Sequence, residues 1–579
     1  MKKCKMRALS FVIVMFLLVG FAGCKQESDA DRKAGKGASS QTNPDSSPED
    51  SKAPVTLTVQ GLFDGAPQDG VQKDDVSKYI ADETGVTLKL MNLTDDDTAA
   101  QKLSAQVASD DLPDIFRSPS LNRLPDLIEA DKVLPLDDLI EEHAKNTNTD
   151  KLAKAMIEIN KVNSPDGKLY CIGMDRGTWD DGTGGIRNNY IRWDLYKKLG
   201  YPEIKNLDDL ADVLIQMQKL EPKTGDGKKT YAAGSNSDAF HFAALVGNML
   251  NSGYAEASPD HMFLIDIENN EVQETNMLTE TDSLYWKSLR FLNRLNQAGA
   301  FDPDSFTQSN YSSKVNSGIY MMTQESWSAS DANHTFKTNG TPERGFVALP
   351  ASMFGYRNTA LYYNDLTGER SFSISKKCEH PERAVELLDF LSTYEFSRIA
   401  NNGLEGTNWN MKDGKPAPKE EYLNQAADDK SYISTGAGKY THFCGYKSGT
   451  IDPDTNVSVD CRKNALPLTP TQQDFVDHFG KKSLPDVYKD GLTTYENNTI
   501  VDFGLLPEDL KLMETNLSTY LNQNEAKVIQ AKNDKEFEKL QAGFIKGLGD
   551  YQIDKIFKTY YDNAVASTSK LKEVYENLD

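Results

Sequence analysis

Trp409 stands beside Glu405 and Asn408, and Trp179 is followed by Asp180. Such pairings suit a ligand with weakly polar C–H faces and hydroxyls, because an indole stacks on the first and planar polar groups hydrogen-bond the second. Sugars have both. A third indole, Trp327, closes the run Gly318-Ile-Tyr-Met-Met-Thr-Gln-Glu-Ser-Trp327, whereas Trp193 and Trp286 sit inside helical patterns and read as packing residues. Asp64 and Arg117 each follow an apolar, strand-like run, which puts them where strand ends meet a ligand. Tyr362 and Arg187 are weaker candidates of the same kind.

Other chemistry is less well supplied. The sequence holds no Gly-x-Ser-x-Gly elbow and no His-Glu-x-x-His pair. Cys171, Cys378, Cys444 and Cys461 lack the spacing of a zinc site. Cys444 and Cys461 could close a local loop as a disulfide, worth about 3 kcal/mol on loop-entropy grounds; the alternative is four small buried side chains. Asp452-Pro-Asp-Thr-Asn456 with Asp460 alternates oxygens as a calcium loop does. It has Val457 in place of the turn glycine and Lys463 in place of the closing glutamate, so it reads as a turn.

The elements that must carry these residues begin after Pro54. Val55–Phe63 is a buried strand, a helix follows over Val76–Glu83, and Val86–Met91 is a second strand. Thr94–Asp97 caps a helix through Ala108, and Leu112–Phe116 is a third strand. Strands alternating with helices predict βαβ units and a mostly parallel sheet, with ligand at the loops near Asp64, Asn92 and Arg117. Further on, Leu207–Leu220 and Asp282–Asn296 are amphipathic helices, and Gly345–Pro350 and Ser371–Ser375 are short strands. Pro381–Tyr394 is a helix, residues 401–502 are loop-rich, and the last 70 residues return to helix.

At the amino terminus Lys2, Lys3, Lys5 and Arg7 precede an apolar run from Phe11 to Phe21, too short to cross a bilayer core of roughly 30 Å. The run ends in Ala22-Gly23-Cys24, which resembles the lipobox of bacterial lipoproteins, with Phe21 where that pattern prefers Leu. The resemblance implies a signal peptide over 1–23 and an acylated Cys24 at the outer face of the cytoplasmic membrane. Residues 24–54, nearly free of large apolar side chains, form a disordered tether. Removing residues 1–23, with four positive charges and no acidic residue, takes the formal charge from −23 to −27. So acidic a chain will not bind nucleic acid through its phosphates.

Taken in order, several segments resemble the extracellular solute-binding proteins of family 1, in their large lipoprotein branch. They are Ala108-Ser-Asp-Asp-Leu-Pro-Asp-Ile-Phe116, Leu134-Pro-Leu-Asp-Asp-Leu-Ile140, Asp166-Gly-Lys-Leu-Tyr170, Arg192–Tyr201, Gly318–Trp327, His380–Ser392 and Gly403–Trp409. The resemblance implies an α/β, two-lobed periplasmic-binding-protein-like fold with a hinge, a ligand cleft and a helix-rich second lobe. Its lobes would be 55–175 with 361–405, and 176–360 with 406–579, the chain crossing near Ile172–Gly177, Arg357–Tyr363 and Asn402–Gly406. The implied function is capture of an oligosaccharide for an ABC permease, by a monomer without catalysis. Trp327 then becomes the first choice for a stacking platform, with Trp409, Trp179, Asp180, Glu405, Asp64 and Arg117 beside it. Some relatives hold calcium in a loop matching Gly225-Asp226-Gly227-Lys228-Lys229, but Thr230 and Tyr231 stand where acidic ligands close it, so calcium at Asp226 is doubtful and no other cofactor is expected. The alternatives are a lipid-anchored polysaccharide-degrading enzyme, since 87 acidic residues could hide a carboxylate pair, a binder of peptides, and a surface adhesin, which the βαβ start argues against.

Overall fold

The computed structural model of the chain describes residues 53–578, except 65–68, 94–95, 119–123, 148–149, 163, 178–188, 238–241, 243–253, 258–261, 267–270, 351–352, 354–357, 361–369, 424–433, 463–464, 466, 489–491, 495–502 and 504–505. Cys24, nearly all of the tether, Trp179, Asp180, Arg187 and Tyr362 lie outside the described residues.

The β-branched run β1 (Val55–Leu62) is buried from Leu57 onward and pairs along its whole length, in parallel, with β3 (Val86–Leu93). Between them lie β2 (Gly70–Val71) and α1 (Asp75–Thr84). Asp74 starts that helix by accepting from the Ser77 N–H at 2.9 Å, and Gly85 ends it at φ 69°, a left-handed turn that glycine makes at least cost. Helix α2 (Asp96–Ser109) then returns the chain to β4 (Ile115–Arg117), on the opposite side of β1. Successive crossovers therefore lead away from β1 in opposite directions, which opens a crevice beyond the carboxyl ends of β1 and β4. After α3 (Lys151–Val162), β5 (Ile172–Met174) is the last strand of the first visit.

The chain next builds a second core. Strand β6 (Tyr190–Arg192) is central to a three-stranded antiparallel sheet, completed by β7 (Met322–Thr323) and β8 (Phe346–Ala348). Helices α4 (Leu207–Leu220), α5 (Leu284–Gln297) and α6 (Ser326–Thr338) surround it. Trp193 and Trp286 are buried in this core, as their helical setting requires. The fully buried Arg192 is tolerated because Asp194 accepts from its Nε and Nη2 at 2.8 Å each and Glu221 lies 3.1 Å from Nη1.

Returning to the first lobe, β9 (Arg370–Ile374) runs antiparallel between β4 and β5, closing a six-stranded sheet. The helix expected over Pro381–Tyr394 is broken at Ser392. It forms α7 (Pro381–Leu391) and α8 (Tyr394–Asn402), because Thr393 turns outward to cap the second helix, its hydroxyl accepting from the Phe396 N–H at 3.1 Å. Hairpins β10 (Trp409–Lys412)–β11 (Lys415–Pro418) and β12 (Ile451–Asp452)–β13 (Val457–Ser458) follow.

The third passage, expected near Asn402–Gly406, comes later. Tyr440, Phe443 and Cys444 are buried in the first core, with Phe443 edge-on to Phe63 and Phe372. The chain rejoins the second core only at α9 (Pro470–His478), through Phe475 and Val476. Helices α10 (Glu508–Ile529), α11 (Asp534–Leu548) and α12 (Ile553–Leu578) complete that core. The Asn293 amide donates to the Ile529 and Ala531 carbonyls at 2.8 and 2.7 Å, satisfying the end of α10. Helix α12 also packs against α3 of the first lobe.

Candidate functional site at the facing sheet edges

Each sheet has an edge at which the chain leaves or enters it. Strand β5 ends at Met174, where the chain leaves the first lobe, and its register partner Arg370 begins β9, where the chain returns. Strands β1 and β4 run parallel to β5, so Asp64 just past β1 and Arg117 at the end of β4 stand on that same edge. In the second lobe Tyr190 opens β6 and pairs with both Thr323 and Ala348. Gln324, Glu325 and Trp327 therefore follow β7 at the edge where β6 begins.

On the first edge a turn from the loop-rich segment meets the strand ends. The Asp64 N–H donates to the Lys439 carbonyl at 3.1 Å, and the Thr441 hydroxyl donates to Asp64 Oδ2 at 2.5 Å. His442 lies between two carboxylates, Nδ1 at 3.2 Å from Asp175 Oδ2 and Nε2 at 3.8 Å from Asp64 Oδ2. Asp175 is 0 % exposed and left-handed at φ 61°. Burial disfavours the charged imidazole, but the hydrogen bond to Asp175 and the charges of Asp175 and Asp64 outweigh it, so His442 titrates above its ordinary value despite the nearby Arg370. The turn is held from behind: Lys439 Nζ and the Tyr440 hydroxyl reach Asp74 Oδ2 at 2.8 and 2.9 Å.

The first crossing is zipped to this turn. Asp175 and Arg176 donate their N–H groups to the Cys444 and Gly445 carbonyls at 2.8 and 2.9 Å. The buried Arg176 guanidinium donates to the Ser392 carbonyl at 3.2 Å and lies 4.8 Å from the centre of the Tyr446 ring, itself stacked on Tyr394 at 3.7 Å. On the second edge Trp327, in the first turn of α6, is 63 % exposed. Beneath it the buried Glu325 carboxylate accepts from the Ser312 hydroxyl at 2.7 Å and from Ser328. Among the described tryptophans only Trp327 presents its ring to solvent.

The structure brings Asp64 and Arg117 to one edge and Trp327 to the other, but not Trp409 and Glu405. Trp409 is 4 % exposed, its indole N–H donates to the Gly403 carbonyl at 2.8 Å, and Arg398 lies over its ring. Glu405 accepts from the Met411 N–H at 3.1 Å. Both line a cavity of about 500 Å³ on the flank of the first lobe, with Tyr79 of α1 and Glu395 and Arg398 of α8. His442 and Asp175 were missed by sequence reading. Asp175 carries the same signal as Asp64, an acidic residue just past an apolar strand, whereas His442 sits in a loop with no periodicity to place it.

The loop at Asp226 is a tight turn whose carboxylate is taken by Thr224 and by Lys228 at 3.0 Å. Asp452 is likewise engaged, accepting from the Asp454 N–H at 2.9 Å and lying 3.4 Å from Arg398. Among the described residues no His, Cys, Asp and Glu side chains group as a metal site. The disulfide considered for Cys444 and Cys461 does not form. Both are free buried thiols held in separate settings, Cys444 donating to the Thr441 carbonyl at 3.3 Å and Cys461 to Asn402 Oδ1 at 3.3 Å. Burial pushes both thiols up to about 12.

The family model described as bacterial extracellular solute-binding protein matches residues 68–395, more than half of the chain. The chain belongs to that family. This solute-binding protein shares its fold with the alginate-binding protein AlgQ2, solved without calcium ion, at TM-score 0.63 and 17% identity, over 88% of this chain and 98% of that one. FusA, an S. pneumoniae ABC-transporter substrate-binding protein in complex with kestose, aligns at TM-score 0.61 and 17% identity over 89% and 100%. An HMO-binding, ABC-transporter-associated solute-binding protein from Bifidobacterium longum infantis aligns at 0.61 and 13% over 88% and 98%. No curated protein matches the sequence. The family is one of extracellular binding proteins rather than enzymes.

Proposed function

We propose that this solute-binding protein captures an oligosaccharide between its two sheet edges and delivers it to an ABC importer, tethered as a monomer to the outer face of the membrane through an acylated Cys24. The observations that support the reading are an exposed indole just past β7 in the second lobe, Trp327, and a set of hydrogen-bonding groups past the strand ends of the first lobe, Asp64, Arg117, Thr441 and His442. A flat apolar ring and fixed polar groups on opposing rigid bodies match the two kinds of surface a sugar offers. Contacts made to both lobes at once shift the open–closed equilibrium toward closure, and so signal occupancy to a permease. The sugar-related relatives support this cargo.

The test is a thermal-shift screen of the mature chain carrying Cys24→Ser, against mono- and oligosaccharides, oligopeptides and calcium. A ligand at a hundredfold excess over its Kd adds about 2.7 kcal/mol of stability. A shift with one sugar class and no product on long incubation bears the reading out. A shift with peptides alone, or release of cleaved sugar, refutes it.

A further inference from the structure

We propose that His442 is a positioning residue of the ligand site: clamped by Asp175, its imidazolium holds the Asp64 carboxylate at the cleft edge in the orientation that receives a ligand hydroxyl. The inference rests on the reading above only in assigning the ligand class; the clamp itself is read from geometry.

Three observations converge on it. Asp175 is wholly buried, the bond of its N–H to the Cys444 carbonyl fixes its backbone, and its carboxylate lies 3.2 Å from His442 Nδ1. That contact turns Nε2 toward Asp64 Oδ2 at 3.8 Å, and the neighbouring Thr441 hydroxyl donates to the same oxygen at 2.5 Å. The Asp64 side chain is half exposed, so oxygen surface remains for a ligand. The groups facing the ring are Asp175 past β5, Asp64 past β1 and Arg370 at the start of β9, with the Cys444 thiol beyond Asp175. Two carboxylates against one guanidinium favour the protonated ring. Loss of that proton leaves Asp64 facing a neutral ring, with the Thr441 hydrogen bond still in place. Ligand affinity then falls as pH rises through the raised His442 titration.

The experiment has a ligand-free arm and a ligand arm. In the first, histidine-labelled mature chain (Cys24→Ser) is titrated by long-range ¹H–¹⁵N NMR, with His442 assigned by its absence in His442→Gln. The midpoint is expected above 6.5 and to fall in Asp64→Asn. A midpoint that does not move in Asp64→Asn overturns the proposal, whatever the protein binds. In the second, kestose, a milk oligosaccharide and an alginate trisaccharide are titrated calorimetrically at pH 5.5 and 8.5. For a sugar that binds, affinity is expected to be roughly three- to tenfold weaker at the higher pH, the range for one partly exposed charged contact. His442→Gln is expected to be weak at both pH values and to lose the dependence, a readout that a purely structural histidine would not move. Equal affinity at both pH values, or a dependence retained in His442→Gln, overturns the proposal. Failure of every sugar to bind while the midpoint still moves in Asp64→Asn supports the clamp and counts against the carbohydrate reading.

Discussion

Trp327→Ala separates a binding role from a packing role more sharply than any other single change. The residue is 63 % exposed in the first turn of α6. Surface truncations of this kind change stability by no more than about 0.5 kcal/mol, so the melting temperature is expected to hold within a degree or two. Binding is another matter. A sugar ring stacked on the indole removes roughly 80 Å² of apolar surface, which at about 25 cal/mol per Å² is about 2 kcal/mol. That is a roughly thirtyfold rise in Kd. The assay is titration calorimetry with the best sugar from the thermal-shift screen, beside the melting curve of the same preparation. Unchanged affinity with unchanged stability refutes the placement of Trp327 at the ligand. A large loss of stability refutes the premise that its ring is free.

Elsewhere the structure fixes other outcomes. Asp74→Ala removes the helix cap of α1 and leaves the buried Lys439 ammonium without its carboxylate, so a loss of about 3 kcal/mol is expected in urea melts, far beyond the cap alone. Because His442 titrates above its unfolded value, its interaction stabilises the fold fully below pH 6.5 and is lost as pH rises through the folded value. The stability gap between the natural chain and His442→Gln should thus close as pH rises above 6.5 through the raised titration; a gap that widens with pH contradicts the pairing. All four buried cysteines are free, so a thiol reagent should label Cys171, Cys378, Cys444 and Cys461 only after denaturation and without reductant. Fewer than four reactive thiols would indicate a disulfide.

Much of the first lobe is legible in the sequence because its strands alternate β-branched or apolar residues with polar ones, and most of the apolar positions are buried. Val55–Phe63 and Val86–Met91 correspond to β1 and β3 within two residues. The places of Asp64 just past β1 and of Arg117 at the end of β4 were legible for the same reason. What the pattern could not show was the role of residues 436–446. That segment is a run of turns held by side-chain partners, Asp74 to Tyr440 and Phe63 to Phe443, and its partners are hundreds of residues away in the chain. Hence the late third passage and the arrival of His442 at the cleft edge were both invisible. Trp409 failed for a complementary reason: adjacency to Glu405 and Asn408 in sequence does not set which face of a hairpin turns inward.

The formal charge of −23 that the sequence carries says little about the surface a ligand meets. At the first edge Arg117, Arg370 and His442 stand with Asp64 and Asp175, near balance, and the acidic surplus lies elsewhere on the molecule. Charges held in opposed pairs cancel at a distance while each remains a strong hydrogen-bonding group at contact. An edge built this way neither attracts nor repels by net charge, and it discriminates by the positions of its donors and acceptors.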